Sequence, residues 1–179
     1  AFIKMKKYII TMDIGGTTFT SSLFDVNLKQ LTLSKESLVE NYDTKTELIG
    51  AFISQIQEIL HQQNINLNEV LGLSMSCPGP LDSKSGMILE TPNLTLLQNT
   101  NLSNEMEKVL HVPVHIENDA NLFALGEWYN NYKDEDVIVG LTLGSGLGVG
   151  VVINGRLFVG AHGMGTEYGI SPFEEGVWE

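Results

Sequence analysis

The chain is short of cationic side chains: ten Lys and Arg stand against 22 Asp and Glu, a net charge of -12. That balance argues against a nucleic-acid surface, because phosphate backbones are held by basic patches, and the only small cluster of lysines is Lys4, Lys6 and Lys7. Cysteine is nearly absent. Cys77 alone excludes an internal disulfide and fits a reducing cytosol. No apolar run approaches the roughly 20 residues that a bilayer requires, and the opening "AFIKMKKYII" has too short an apolar core for a signal peptide. Gly-Lys-Ser and Gly-Lys-Thr occur nowhere, so a Walker phosphate loop is excluded. The expectation is a cytoplasmic protein with neither membrane nor nucleic acid as partner. What the chain does have is a hydrophobic fraction of 42% and a charged fraction of 18%, which suit a packed core. Its 179 residues allow one domain or a piece of a two-domain protein. Met5 reads as a native start, and "FEEGVWE" ends without a finished helix or polar tail, so the chain reads as a fragment.

Hydrophobic spacing predicts strands at Tyr8 to Met12, Thr20 to Val26 and Leu31 to Val39, then a helix from Thr44 to Gln63 opened by a Thr44/Glu47 capping box. A buried strand is expected at Val70 to Ser76, closed by "CPGP", with "MILETPNL" extended after it. Ser103 is expected to cap a short helix to Leu110, and "VPVHIE" to form a strand. Asn118 is expected to cap a helix from about Ala120 to Tyr129, with Leu122, Phe123, Leu125 and Trp128 facing inward. The polar stretch "NNYKDED" breaks the pattern and marks a hinge, dividing 1–133 from 134–179. Beyond it "VIVGLTLGSGLGVGVVINGRLFVG" reads as strand, glycine turn, strand, an Asn154-Gly155 hairpin turn and a further strand. Both parts thus open on the same device, an apolar strand, a glycine and hydroxyl turn and a return strand, which points to two related lobes.

The turns "DIGGTT" and "LGSGLG" raise the question of what they hold. A dinucleotide fingerprint requires a helix directly after its glycines, whereas Gly146 is followed by strand residues and the Asn154-Gly155 turn. Each turn could be a simple hairpin connection. Two related turns, one preceded by an acid, favour backbone N–H groups and hydroxyls gripping phosphate oxygens from two sides. Asp13 beside such a cradle would repel phosphate unless a cation intervenes, which suggests Mg²⁺; the alternative is an aspartate that caps the turn through its side chain.

Five ordered motifs, "DIGGTTFTSSLFD", "CPGPLD", "ETPNL", "IENDANLFALGEW" and "LTLGSGLGVGVVINGRLFVGAHGMGTEYG", together resemble the ROK family of bacterial sugar kinases over about Lys7 to Gly169. The resemblance implies an α/β, ribonuclease-H-like (actin-like ATPase) fold, a mixed sheet flanked by helices with the start of a second similar lobe. It implies ATP-dependent phosphorylation of a sugar hydroxyl on a hexose or N-acetylhexosamine, with ATP and Mg²⁺ required. Asp119 matches the family's general base, Asn93, Asn118 and Glu167 its sugar-binding positions, and Asp13, Gly15, Gly16 and Thr17 with Gly144, Ser145 and Gly146 its two phosphate turns. Taken on the residues alone, Asp119 reads better as a helix N-terminal acid favoured by the helix dipole than as a catalytic group; the resemblance reverses that order. The family also contains repressors, which carry an N-terminal DNA-binding segment; this acidic chain starts on its first strand. The resemblance leaves a homodimer open. One departure stands out: where the family reads Gly-Glu-Ile-Gly-His, this chain reads Thr166-Glu167-Tyr168-Gly169-Ile170. Isoleucine can neither bind sugar through a polar contact nor ligate zinc, so zinc is not expected. A non-catalytic sugar-binding or regulatory protein of the same fold is the alternative that this departure raises.

Overall fold

The computed structural model describes residues 6–144, 146–161, 163, 165–170, 172–173 and 176–177. Strands β1 (Tyr8–Ile14) and β2 (Thr18–Asp25) form an antiparallel hairpin in which Ile14 pairs with Phe19. Strand β3 (Lys35–Leu38) adds to the outer edge of β2. Helix α1 (Lys45–Gln62) then crosses to β4 (Val70–Cys77), which runs parallel to β1. Three two-residue strands, β5 (Leu81–Asp82), β6 (Met87–Ile88) and β7 (Thr100–Asn101), form a small separate sheet before α2 (Leu102–Leu110). Strand β8 (Val114–Asn118) lies parallel to β4 and completes a five-stranded sheet in the order β3-β2-β1-β4-β8. Helix α3 (Asp119–Asn131) follows without a loop. A second, antiparallel sheet comes next, with the order β11-β10-β9, from β9 (Val137–Leu143), β10 (Leu147–Ile153) and β11 (Arg156–Leu157). Two short strands, β12 (Pro172–Phe173) and β13 (Gly176–Val177), pair with each other.

The main core lies between α1, α2 and one face of the five-stranded sheet. Alternation along β1 sends Ile10, Met12 and Ile14 inward, where they meet Leu48, Phe52 and Ile56 of α1 and Met75 and Ile116 of the neighbouring strands. Phe19 and Phe52 pack edge to face with ring centroids 4.8 Å apart. Gln55 is a polar residue within this core and every polar end of its amide is used. Its Oε1 accepts from the Ser21 hydroxyl at 2.6 Å, and its Nε2 donates to the Lys35 carbonyl and the Ser37 hydroxyl, tying α1 to β2 and β3. The Lys35 ammonium pairs with Glu58 of the same helix.

The Thr44/Glu47 capping box forms as expected. Asn118 caps α3 through its side chain, accepting the Asn121 N–H at 3.2 Å. The Asn154-Gly155 turn has both residues at positive φ, 49° and 73°, as a tight two-residue hairpin requires. Three expectations are corrected. The third strand is limited to Lys35–Leu38, because the chain before it loops back on Leu23 and Phe24 and leaves Leu33 in solvent. Only Met87–Ile88 of "MILETPNL" is strand. The cap of α2 is Asn101, whose Oδ1 accepts the Asn104 N–H, and not Ser103, which is buried in the first turn.

The inward face of α3 also differs from its hydrophobic pattern: Ala120, Asn121 and Ala124 are the buried residues, while Phe123 is exposed. The physical reason lies across the contact. Gly140, Gly148 and Gly150 of the β9–β10 hairpin press against Ala120 and Ala124; a β-carbon on Gly150 would lie 2.3 Å from the Ala120 carbonyl oxygen. Trp128 covers the hairpin turn, its ring over Gly155, and its Nε1–H donates to the Glu135 carbonyl. Small residues on both partners let the helix and hairpin approach closely, and the large side chains of α3 are displaced to its flanks.

The candidate active site between the two sheets

Strands β1 and β4 run parallel, β8 beside them, so their C-terminal ends gather at one edge of the sheet. The loops leaving this edge carry the predicted site residues. Turn Gly16–Thr17 leaves β1, "CPGP" leaves β4, and α3 starts directly from β8 at Asp119. Facing them is the turn between β9 and β10. Between these elements lies a cleft of about 780 Å³ whose lining includes Gly15, Gly16, Thr17, Asn93, Asn118, Asp119, Gly144, Gly146 and Glu167. Residues as far apart in sequence as Gly15 and Glu167 thus share one cavity. Asp13 is not part of the lining; it stands exposed near the end of β1. Ser145 lies outside the described residues.

The two glycine turns are built differently. The Gly15 N–H donates to the Thr18 carbonyl at 2.8 Å, closing the first turn, and a β-carbon on Gly15 would meet only the Thr18 carbonyl oxygen, at an ordinary 3.5 Å. Gly16 is different: a β-carbon there would lie 2.8 Å from the Asn93 carbonyl oxygen, so the first turn is packed against the "TPN" loop. In the second turn the Gly144 N–H donates to the Gly146 carbonyl at 3.0 Å, and among the described residues nothing lies within 4 Å of where a Gly144 side chain would point. The missing side chain at Gly144 therefore leaves open space for a ligand to approach the backbone.

Asp119 occupies the first position of α3. Its Oδ1 accepts the Ala120 N–H at 2.8 Å, which orients the carboxylate. Water reaches the residue, yet the protein around it withdraws enough solvent to raise its pKa above the ordinary aspartate value, and the negative charge of Asp13 adds to the rise. Hydrogen bonding from the backbone opposes the shift without cancelling it. Cys77 lies fully buried behind these acids. Burial first, then the Asp13 and Asp119 charges, push its thiol far up, so it remains protonated and inert.

Gly79 marks where two predicted sugar-binding side chains converge. A β-carbon on it would lie 2.7 Å from Glu167 Oε1 and 3.0 Å from Asn118 Nδ2. Gly79, Pro78, Pro92, Thr142 and Thr166 line the same cleft and were not singled out from sequence. For Gly79 the only available signal was its place in "CPGP", which reads as a strand-ending turn. Among the described residues, no group of three or more His, Cys, Asp and Glu is gathered closely enough to form a protein-only metal centre. A cation carried by phosphate needs less, since Mg²⁺ keeps several waters and takes one or two carboxylates. Asp13, one strand end away from the first turn and felt electrostatically by Asp119, fits that lesser demand.

A parallel-edged mixed sheet flanked by helices, with a glycine-turned hairpin repeated in a second sheet, is the ribonuclease-H-like fold of the actin-like ATPases. Within that class the chain belongs to the ROK family, whose model matches residues 9–175. It is 36% identical over 166 residues to the glucokinase of Thermotoga maritima, covering 92% of this chain and 50% of that one. It is 29% identical over 167 residues to the N-acetyl-D-glucosamine kinase of Aliivibrio salmonicida, covering 93% and 53%. Among solved structures it superposes on a ROK family glucokinase from Streptomyces griseus, in complex with glucose and AMPPNP, with a TM-score of 0.77 at 26% identity, over 90% of this chain and 49% of that one. The chain thus spans about half the length of the relatives it matches. No helix among the described residues is long and apolar enough to cross a membrane.

Proposed function

We propose that the complete protein is an ATP-dependent sugar kinase and that these residues form its first lobe, 1–133, and the opening of its second, 134–179. The observation that carries this reading is the shared cleft: Asn93, Asn118, Asp119 and Glu167 line the same cavity as the two glycine turns. Polar side chains suited to sugar hydroxyls therefore stand beside backbone suited to phosphate. In this reading the sugar lies over Gly79, held by Asn93, Asn118 and Glu167, with its reacting hydroxyl at Asp119. As that oxygen bonds to the γ-phosphorus, the bond from that phosphorus to the β–γ bridging oxygen breaks, ADP leaves, and the Asp119 carboxylate takes the hydroxyl proton. A pKa raised above the ordinary aspartate value suits this role, because it makes the carboxylate a better proton acceptor. Gly16 and Thr17 on one side and Gly144 and Gly146 on the other would cradle the phosphates. Mg²⁺ bound with ATP would be held by Asp13 and supplies neutralisation of charge on the phosphoryl oxygens.

The proposed lobe division has its own support. Strand β9 repeats β1 as the first strand of a glycine-turned hairpin, but its second edge is unpaired within the described residues, whereas β1 carries β4 on that edge. Val137, Val139, Leu141 and Leu143 all lie exposed along one face of β9, Leu143 at 83%. Apolar faces of this kind are covered by further chain in a finished lobe.

The test is a coupled ADP assay on the complete gene product with ATP, Mg²⁺ and a panel of glucose, mannose, fructose and N-acetylhexosamines. Sugar-dependent ADP release supports the reading and names the substrate. Sugar binding with no ADP release for any member would place the protein with the non-catalytic alternative.

A further inference from the structure

Three polar side chains are buried together at the floor of the cleft: Glu117 near the end of β8, Asn121 in the first turn of α3, and Thr166, which also lines the cleft, from the second sheet's outgoing loop. Each is 5% exposed or less. Glu117 Oε1 accepts the Asn118 N–H at 2.9 Å and the Asn121 Nδ2–H at 3.0 Å. A carboxylate can only accept, so it fixes which end of the Asn121 amide faces it. The Asn121 carbonyl oxygen is thereby turned outward, where it accepts the Thr166 hydroxyl at 3.2 Å. This last bond joins residues 45 apart in sequence and ties the loop to the helix that begins with Asp119. The residue after Thr166 is Glu167, whose carboxylate lies over Gly79 beside Asn118.

We infer that Asn121 and Thr166 are positioning residues: through the Glu117–Asn121–Thr166 hydrogen-bond chain they set Glu167 at a fixed place relative to Asp119, and so determine how tightly the sugar is held. This rests on the sugar-kinase reading above. Neither side chain needs to touch the reacting atoms. Their effect comes from the cost of leaving a buried polar group unsatisfied, which makes one loop position strongly preferred. The same Asn121 also donates its backbone N–H to Asn118 Oδ1. That bond occupies the Asn118 carbonyl oxygen and turns its Nδ2 toward Gly79 and Glu167. One residue therefore orients two of the groups proposed to hold the sugar.

The experiment compares the complete gene product with its Thr166→Val and Thr166→Ser variants, Val keeping the shape and removing the hydroxyl. Thr166→Val is expected to raise the sugar KM about five- to tenfold, the effect of losing one buried hydrogen bond, while the ATP KM and kcat change by less than about twofold. Thr166→Ser, which restores the donor, is expected to return the sugar KM to near the wild-type value. A sugar KM unmoved in Thr166→Val, or ATP and sugar KM rising together, overturns the inference. Amide hydrogen exchange of residues 165–169 is the arm independent of catalysis. It is expected to speed up in Thr166→Val and recover in Thr166→Ser, and unchanged exchange overturns the positioning role whether or not the wild type turns over sugar. Should Thr166→Val not fold, Thr166→Ala is read by the same two measurements.

Discussion

Gly150 and Ala120 meet so closely that a β-carbon on the glycine would stand 2.3 Å from the Ala120 carbonyl oxygen. Through this contact the second hairpin is seated on the helix that begins with Asp119. Gly150→Ala is therefore expected to lower stability by about 1–3 kcal/mol through overpacking. Gly144→Ala, with open space around its side-chain direction, is expected to stay within about 0.5 kcal/mol. Urea unfolding of both variants checks the contrast; equal midpoints would mean that helix and hairpin separate freely.

Asp119→Asn is expected to reduce turnover of the complete gene product by about 10²-fold or more, the range for losing a general base, with sugar binding retained. Turnover at the wild-type rate would remove Asp119 from the mechanism.

The raised pKa of Asp119 gives a pH prediction with a definite sign. A carboxyl whose folded pKa exceeds its unfolded value holds its proton more tightly in the native state. Its contribution to stability is present below the unfolded pKa and is lost as pH rises through the folded pKa. Above the folded pKa the Asp119 charge therefore opposes folding, and Asp119→Asn should be the more stable protein there, with the difference closing as pH falls below the unfolded pKa. Asp13→Asn removes a like charge and should move the Asp119 titration, followed by NMR without nucleotide, to lower pH. A titration shifted upward or not at all would show that the two acids do not interact.

Gly16 belongs to a predicted phosphate turn, yet its neighbour is the Asn93 backbone. Gly16→Ala should displace the Asn93 loop and raise the sugar KM by about tenfold, the scale of a misplaced binding group, with a smaller change in the ATP KM. Gly79→Ala, which would crowd Glu167 and Asn118 directly, should do the same. An effect confined to ATP would assign Gly16 to the nucleotide alone.

The 179-residue chain expressed alone is expected to show no sugar-dependent ADP release and to self-associate, since β9 presents Val137, Val139, Leu141 and Leu143 to solvent beside an edge that is unpaired among the described residues. Sedimentation should show association that Leu141→Lys weakens. A monomeric, active chain would mean that the exposed face needs no cover.

Local chemistry carried much of this fold into view early. The Thr44/Glu47 box, the Asn118 cap and the Asn154-Gly155 turn form where their residues predict, because each is a bargain between a side chain and backbone a few positions away. The strands of the first sheet were legible for the same reason, since alternation and turn residues act over short range. Motif order, too, pointed to Asn93, Asn118, Asp119 and Glu167 as candidates, and the fold brings them to one cleft.

Long-range contact accounts for what could not be read this way. The α3 pattern favoured Leu122, Phe123, Leu125 and Trp128 as its buried side, and the helix instead buries Ala120, Asn121 and Ala124. A periodicity reports which side chains are apolar, not how near the opposing backbone comes. Here Gly140, Gly148 and Gly150 bring it so near that only small residues fit. Those glycines flank the predicted phosphate turn, and in the fold they face a helix. The Glu117–Asn121–Thr166 chain was equally out of reach, because a hydrogen bond between residues 45 apart exists only once two sheets and a helix have docked. Short-range preferences thus specified the elements, their caps and the candidate chemistry. Close packing between elements distant in sequence specified which faces are buried, which glycines serve packing, and where Glu167 stands relative to Asp119.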